Sequence, residues 1–111
     1  MSSKKLCLNN AVLLDQVVLC HSFLSKARGF LFYLKPPAKA LLLENTQMIH
    51  MFCMCFELAI FVLDEKLNVL DKFSLRPWQI SKYYRLAKYF LEVPRLDFLE
   101  KIKVGDSLQL K

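Results

Sequence analysis

Glycine is nearly absent from the chain: 111 residues contain two, Gly29 and Gly105. That scarcity leaves no Gly-rich loop to cradle a phosphate and no Gly-x-Ser-x-Gly nucleophile elbow. Apolar runs long enough to cross a bilayer, roughly 18 to 20 residues, are also missing. The longest, Met48 to Leu63, is interrupted by His50 and Glu57, so no membrane span is expected. Met1-Ser2-Ser3-Lys4-Lys5 begins like a secretory leader, but Asn9, Asn10 and Asp15 break the apolar stretch behind it and no small-residue cleavage site follows. A cytoplasmic protein is expected. Internal repeats and low-complexity tracts are absent.

Hydrophobic residues, by contrast, make up 55% of the chain, with nine phenylalanines, four tyrosines and one tryptophan. A composition this apolar excludes disorder and implies a dense core or an apolar surface that meets a partner. The length suits one domain, read as a tail over 1–5 and a single domain over 6–111. The net charge of +6 draws the protein weakly toward anions but selects no partner class by itself. Cys7, Cys20, Cys53 and Cys55 all lie in apolar segments, which predicts buried, reduced thiols.

Asn9-Asn10 divides Lys5–Leu8 from Ala11–Leu19 and tolerates the left-handed backbone of a tight turn, so the chain is expected to open with a hairpin. Ser22 can cap a helix running to about Tyr33, where Pro36-Pro37 stops it. Ala40–Leu43 reads as a short strand. Met48–Leu63 reads as two buried strands, the first with His50, Phe52, Met54 and Phe56 on one face and Met51, Cys53 and Cys55 on the other. Leu67–Leu75 reads as a half-exposed strand. The turn before it has no glycine, so Asn68 or Leu67 must take any positive φ and the turn should exceed two residues. Ile80–Leu91 fits helix and strand periodicity in different parts. Leu96–Ile102 suits a short helix, and Gly105-Asp106 a turn into a last strand, Ser107–Leu110.

Several pieces in order carry a resemblance to a known family: Ala27-Arg28-Gly29-Phe30-Leu31, then His50-Met51-Phe52-Cys53-Met54-Cys55-Phe56, then Phe61-Val62-Leu63-Asp64. They continue with Arg76-Pro77-Trp78, Ala87 to Pro94 and Lys103-Val104-Gly105-Asp106. Together they cover about Leu6 to Leu110 and resemble the domain of unknown function 192 family of small bacterial and archaeal proteins. The resemblance implies a β-rich α+β domain with a bent or barrel-like, mainly antiparallel sheet and one or two helices. It favours a strand for Ala87–Val93. The chain departs from that pattern with Ala59 at the family's acidic position, with Leu67 at its hairpin glycine, and without the export signal many relatives carry.

Three constellations could carry chemistry. His50, Cys53 and Cys55, with Cys20 and His21 as distant partners, have metal-binding types. On a strand, however, His50 points away from both cysteines, and Cys-x-Cys lacks the usual knuckle, so core packing is the stronger reading and no metal or cofactor is expected. A cysteine nucleophile needs an exposed electropositive thiol beside a base, which the apolar surroundings of Cys53 and Cys55 do not offer. Arg76, Lys82, Arg85 and Lys88 alternate with Trp78, Tyr83, Tyr84 and Tyr89, the mixture used to bind single-stranded nucleic acid. The plainer reading is a solvated connection whose aromatics pack on the sheet.

The resemblance and the missing catalytic sets lead to a non-enzymatic module binding a small ligand or a protein, as a monomer or homodimer. Its candidate surface is Arg28, His50, Trp78 and Glu92, although Trp78 after Pro77 is expected to plug one end of the sheet and would mark a ligand or partner surface only if exposed. The alternatives are nucleic-acid binding through 76–89, or a metal-dependent enzyme using His50, Cys53 and Cys55.

Overall fold

Asn9 and Asn10 both take left-handed backbone, φ 52° and 67°, the geometry a two-residue type I′ hairpin turn requires. They join β1 (Ser3–Leu8) to β2 (Ala11–Cys20). Pairing therefore begins at Ser3, inside the segment expected as a tail. The structure, a computed structural model, describes residues 3–20, 39–51 and 54–111. The helix expected over 22–33, with Arg28 and Gly29, lies outside the described residues.

The chain continues as β3 (Ala40–Glu44), β4 (Leu58–Leu63), β5 (Val69–Leu75), β6 (Tyr89–Val93), the short helix α1 (Phe98–Lys101) and β7 (Gln109–Leu110). The seven strands form one sheet in the order β5-β4-β6-β3-β2-β1-β7. Only the β2–β3 pair is parallel; all others run antiparallel. The two ends of this order approach each other. Asn68 bridges Ser107, Val69 N–H donates to Asp106 O at 2.8 Å, and Gly105 N–H donates to Val69 O at 2.9 Å. The sheet is thus curled into a half-barrel, which agrees with the bent α+β domain expected.

Curling gives the sheet two buried faces. The concave face gathers Leu6, Leu14, Val17, Leu42, Phe61, Leu91 and Leu108, and Phe98 and Ile102 around α1 close it. Four residues are too few to hold a helix by propensity alone. Instead α1 is pinned by Phe98 and by Lys72, whose Nζ donates to the carbonyls of Leu99 and Ile102, satisfying helix-end acceptors. The convex face gathers Val18, Leu41, Leu43, Ile60, Val62 and Phe90 beneath Ile49, Met51 and Met54. With both faces covered, every residue of β4 is buried, as a continuous apolar strand requires. Ala59 faces the concave core, between Val93 and Ser74, so its methyl occupies dry interior where the resembling family has an acid.

The β4–β5 turn is longer than two residues, as expected, and Leu67 carries the positive φ, 66°. Asp64 organises it: Oδ1 accepts from Lys66 N–H and Asn68 N–H at 2.9 Å each, and Oδ2 accepts from Asn68 Nδ2 at 3.1 Å. Desolvation works to raise the Asp64 carboxyl, and these hydrogen bonds with the Lys66 charge outweigh it, so its pKa is lowered.

One expectation fails. Among the described residues of 48–56 there is no strand; only His50 makes an isolated bridge, and Met54 N–H turns back to Met51 O at 3.2 Å. The segment covers the sheet instead of joining it. Its backbone groups over 49–51 are satisfied by the loop at 78–81, so alternation holds from Met48 to Met51, with Ile49 and Met51 inward. The turn of Met54 N–H back to Met51 O interrupts the expected strand after Met51.

Candidate functional site

Residues 47–51 and 78–84 run side by side as an antiparallel ribbon on the convex face. Met51 N–H donates to Gln79 O at 2.7 Å, Trp78 N–H to Met51 O at 2.8 Å, Ser81 N–H to Ile49 O at 2.8 Å and Tyr84 N–H to Gln47 O at 2.8 Å. Ile49, Met51 and Ser81 face the sheet, and Ser81 Oγ accepts from Ile49 N–H at 2.9 Å. Met48, His50, Trp78, Ile80 and Lys82 are exposed on the ribbon.

Arg76 to Gln79 forms the turn that starts the ribbon. Gln79 N–H donates to Arg76 O at 3.1 Å, and Gln79 Oε1 accepts from Arg76 N–H at 2.8 Å. Pro77 suits the second position, and the third, where such a turn wants glycine, holds Trp78 at φ 70°. Left-handed backbone on a residue with a Cβ costs about 1–2 kcal/mol. Trp78 is also 65% exposed, so core burial does not repay this strain. The expectation that Trp78 could plug the sheet is corrected: the turn turns the ring outward.

The four residues of the expected surface separate. His50 and Trp78 sit at the same end of the ribbon, His50 bridging Ile80. Arg28 lies outside the described residues. Glu92 belongs to the sheet, in a row running Val18, Leu41, Glu92, Ile60, Phe73 across five strands. It is 6% exposed, and burial pushes its carboxyl up to about 7. Cys20, one row further along β2, has its thiol pKa raised by burial first and then by Glu92, with Lys39 opposing.

The basic segment also divides. Arg76, Lys82 and Arg85 are exposed and make no ion pair with described residues. Lys88 is tied into the fold: its Nζ donates to Asn45 Oδ1 and its N–H to Leu63 O. Among the rings, Tyr83 is 67% exposed, whereas Tyr89 packs against the concave core. Tyr84 packs inward, stacked on Phe73 at 6.1 Å and edge-on to Phe90 at 5.9 Å. Its hydroxyl donates to Asp71 Oδ2 at 2.6 Å. Burial first, then that bond and the Asp71 charge, push the hydroxyl up to about 12. This contact ties the ribbon to β5.

Between β5 and the ribbon lies an open groove of about 220 Å³, walled by Phe73, Leu75, Ile80 and Tyr84, with Asp71, Ser81 and Lys82 supplying polar atoms. Sequence reasoning missed the groove and the Asp71–Tyr84 latch. The available signal was the spacing of Asp71, Phe73 and Leu75 on one face of β5.

The metal and thiol constellation is dispersed. Cys53 lies outside the described residues, while His50 and Cys55 are exposed. Among the described residues no three His, Cys, Asp or Glu side chains converge on a cation position. Cys7 and Cys20 are buried free thiols, but Cys55 is an exposed one, contrary to the sealed thiol expected there. The reason is the missing strand.

The fold and ribbon define a small half-barrel domain with a partly apolar, partly basic surface strip. No protein-family model matches the chain. The chain belongs to the UPF0127 family: it is 32% identical over 101 residues to a UPF0127 protein of Pyrococcus abyssi, covering 85% of each chain. It is 34% identical over 102 residues to a UPF0127 protein of Pyrococcus horikoshii, covering 85% of this chain and 86% of that one. In fold it is similar to a protein of unknown function from Novosphingobium aromaticivorans (TM-score 0.79, 14% identity, 96% and 83% coverage). A candidate transcription regulator from Sinorhizobium meliloti 1021 is similar too (TM-score 0.78, 14% identity, 98% and 94% coverage). Among the described residues no helix is long and apolar enough to cross a membrane.

Proposed function

We propose that this chain is a non-enzymatic binding module whose ligand or protein partner docks on the outer side of the ribbon, at His50, Trp78, Ile80 and Tyr83. The observation that carries the reading is the strained, exposed Trp78. Unfavourable backbone retained on a ring left mostly exposed points to use of the side chain, and Trp and Tyr are the residues on which binding energy concentrates. Ile80, 56% exposed, adds apolar area beside them. Glu92 is assigned to the sheet's interior and not to the docking surface. We place the chain in the domain of unknown function 192 family. We also place it in a reducing, cytoplasmic compartment, which the free thiols of Cys7, Cys20 and Cys55 favour.

Retention of material from a cell extract on immobilised protein tests the reading. Wild-type protein should retain components that the Trp78→Ala, Ile80→Asp double variant loses, with both folded by circular dichroism. Equal retention by the two contradicts it. So does substrate turnover that depends on these same residues.

A further inference from the structure

We infer that the ligand of the ribbon is single-stranded nucleic acid, a step that rests on the binding-module reading above and names its chemistry. Two kinds of group are needed to hold a single strand: cations along the backbone path, and exposed flat rings or apolar slots that take bases. The ribbon has both within one stretch of extended chain. Arg76, Lys82 and Arg85 are exposed and make no ion pair with described residues, so no salt bridge competes with phosphate for them, and of the three only Lys82 shares the groove with an acid, Asp71. Three cations elsewhere are engaged within the fold: Lys72 on the end of α1, and Arg95 and Lys101 on Asp97 at 3.0 and 3.2 Å.

Between these cations stand Trp78 and Tyr83, the two most exposed rings among the described residues. Trp78 to Tyr83 spans five residues, about 17 Å of extended chain, room for a few nucleotides. The groove adjoins this path. Its apolar walls suit the face of a base, while the Asp71 carboxylate is a polar group for a base edge. Asp71 sets the polarity of the slot: with one oxygen held by Tyr84 and the other by Lys72 N–H, it favours a base edge that donates and repels a phosphate. The backbone is thereby directed to the Lys82 side. An acidic peptide would satisfy the cations equally, but flat rings beside a slot that excludes anions favour bases.

The test is a titration of the full chain into fluorescein-labelled oligothymidylate and oligouridylate of about 12 nucleotides, followed by anisotropy and by quenching of Trp78, the only tryptophan. Three phosphate contacts predict a slope of log affinity against log salt near −2, or about a 20-fold loss between about 50 and 200 mM salt. Lys82→Glu with Arg85→Glu should abolish binding. Trp78→Ala should weaken it about tenfold or more, and Trp78→Phe should restore most of the loss. Lys103→Glu, an equal charge change at an exposed site elsewhere, should do far less than Lys82→Glu.

Absent oligonucleotide binding at low salt overturns the inference. So does binding that Lys103→Glu weakens as much as Lys82→Glu. So does Trp78 responding to vesicles of phosphatidylserine and phosphatidylcholine, or to an acidic peptide such as polyglutamate, but not to oligonucleotides. Material retained from extract after nuclease treatment and lost in the Trp78→Ala, Ile80→Asp variant would sink this inference alone and leave the binding-module reading standing.

Discussion

Glu92 and Trp78 show most clearly how single side chains bear on stability and use. Glu92 is nine-tenths buried in an apolar row, and burial raises its carboxyl to about 7. A raised folded-state pKa means that the neutral form is what the fold accepts. The stability tied to it is complete below the unfolded carboxyl's pKa and is lost as pH rises through about 7. The wild type should therefore lose about 3 kcal/mol between about pH 4 and pH 8 from this group. Glu92→Gln should flatten that slope, as denaturant melts across pH would show. Trp78 presents the opposite case, a residue whose change should help the fold. Trp78→Gly removes the cost of left-handed backbone and little packing, so it should raise unfolding free energy by about 1 kcal/mol while weakening ligand capture. Residues of this kind differ in how readily a sequence shows them. Asn9-Asn10 announces its turn because both side chains tolerate left-handed backbone. Trp78 does not, since Pro77 signals a turn but nothing local says that tryptophan will fill the glycine position.

Among the elements, those whose burial is set by one or two neighbours were the most legible. The opening hairpin, β3, β5 and the short C-terminal helix emerge near their expected positions, because short apolar runs and turn chemistry act locally, whereas periodicity leaves β6 open and it lies where the family resemblance puts a strand. The segment 48–56 departs from the expected strand because its hydrogen-bond partner is a distant loop and its backbone turns after Met51, neither of which the local pattern reveals. Its consequence is chemical. Cys55 should be alkylated by iodoacetamide in the native protein well ahead of buried Cys7 and Cys20, Cys20 being further slowed by its raised pKa. Equal rates, read by peptide mass mapping, would restore the buried strand. The ribbon itself is held down by Tyr84. Tyr84→Phe keeps the stacking on Phe73 and loses the bond to Asp71, so it should cost about 1–2 kcal/mol, visible as an earlier urea midpoint.

Taken as one body, the half-barrel explains where, among the described residues, the exposed rings gather. Both sheet faces are covered, the concave one by α1 and the convex one by Ile49, Met51 and Met54, so neither supplies a large free surface. The exposed rings collect where the covering ribbon meets solvent. The bent sheet could be anticipated from the residues that resemble a family, whereas the separation of His50 and Trp78 from Glu92 could not, because it depends on which segment lies over which row. Collisional quenching of the single tryptophan by acrylamide in the native protein tests the open ribbon most directly. Emission near that of an indole in water, quenched almost as readily as in urea, is the outcome predicted. A blue-shifted emission that acrylamide barely reaches would place Trp78 inside the fold, and the docking surface would go with it.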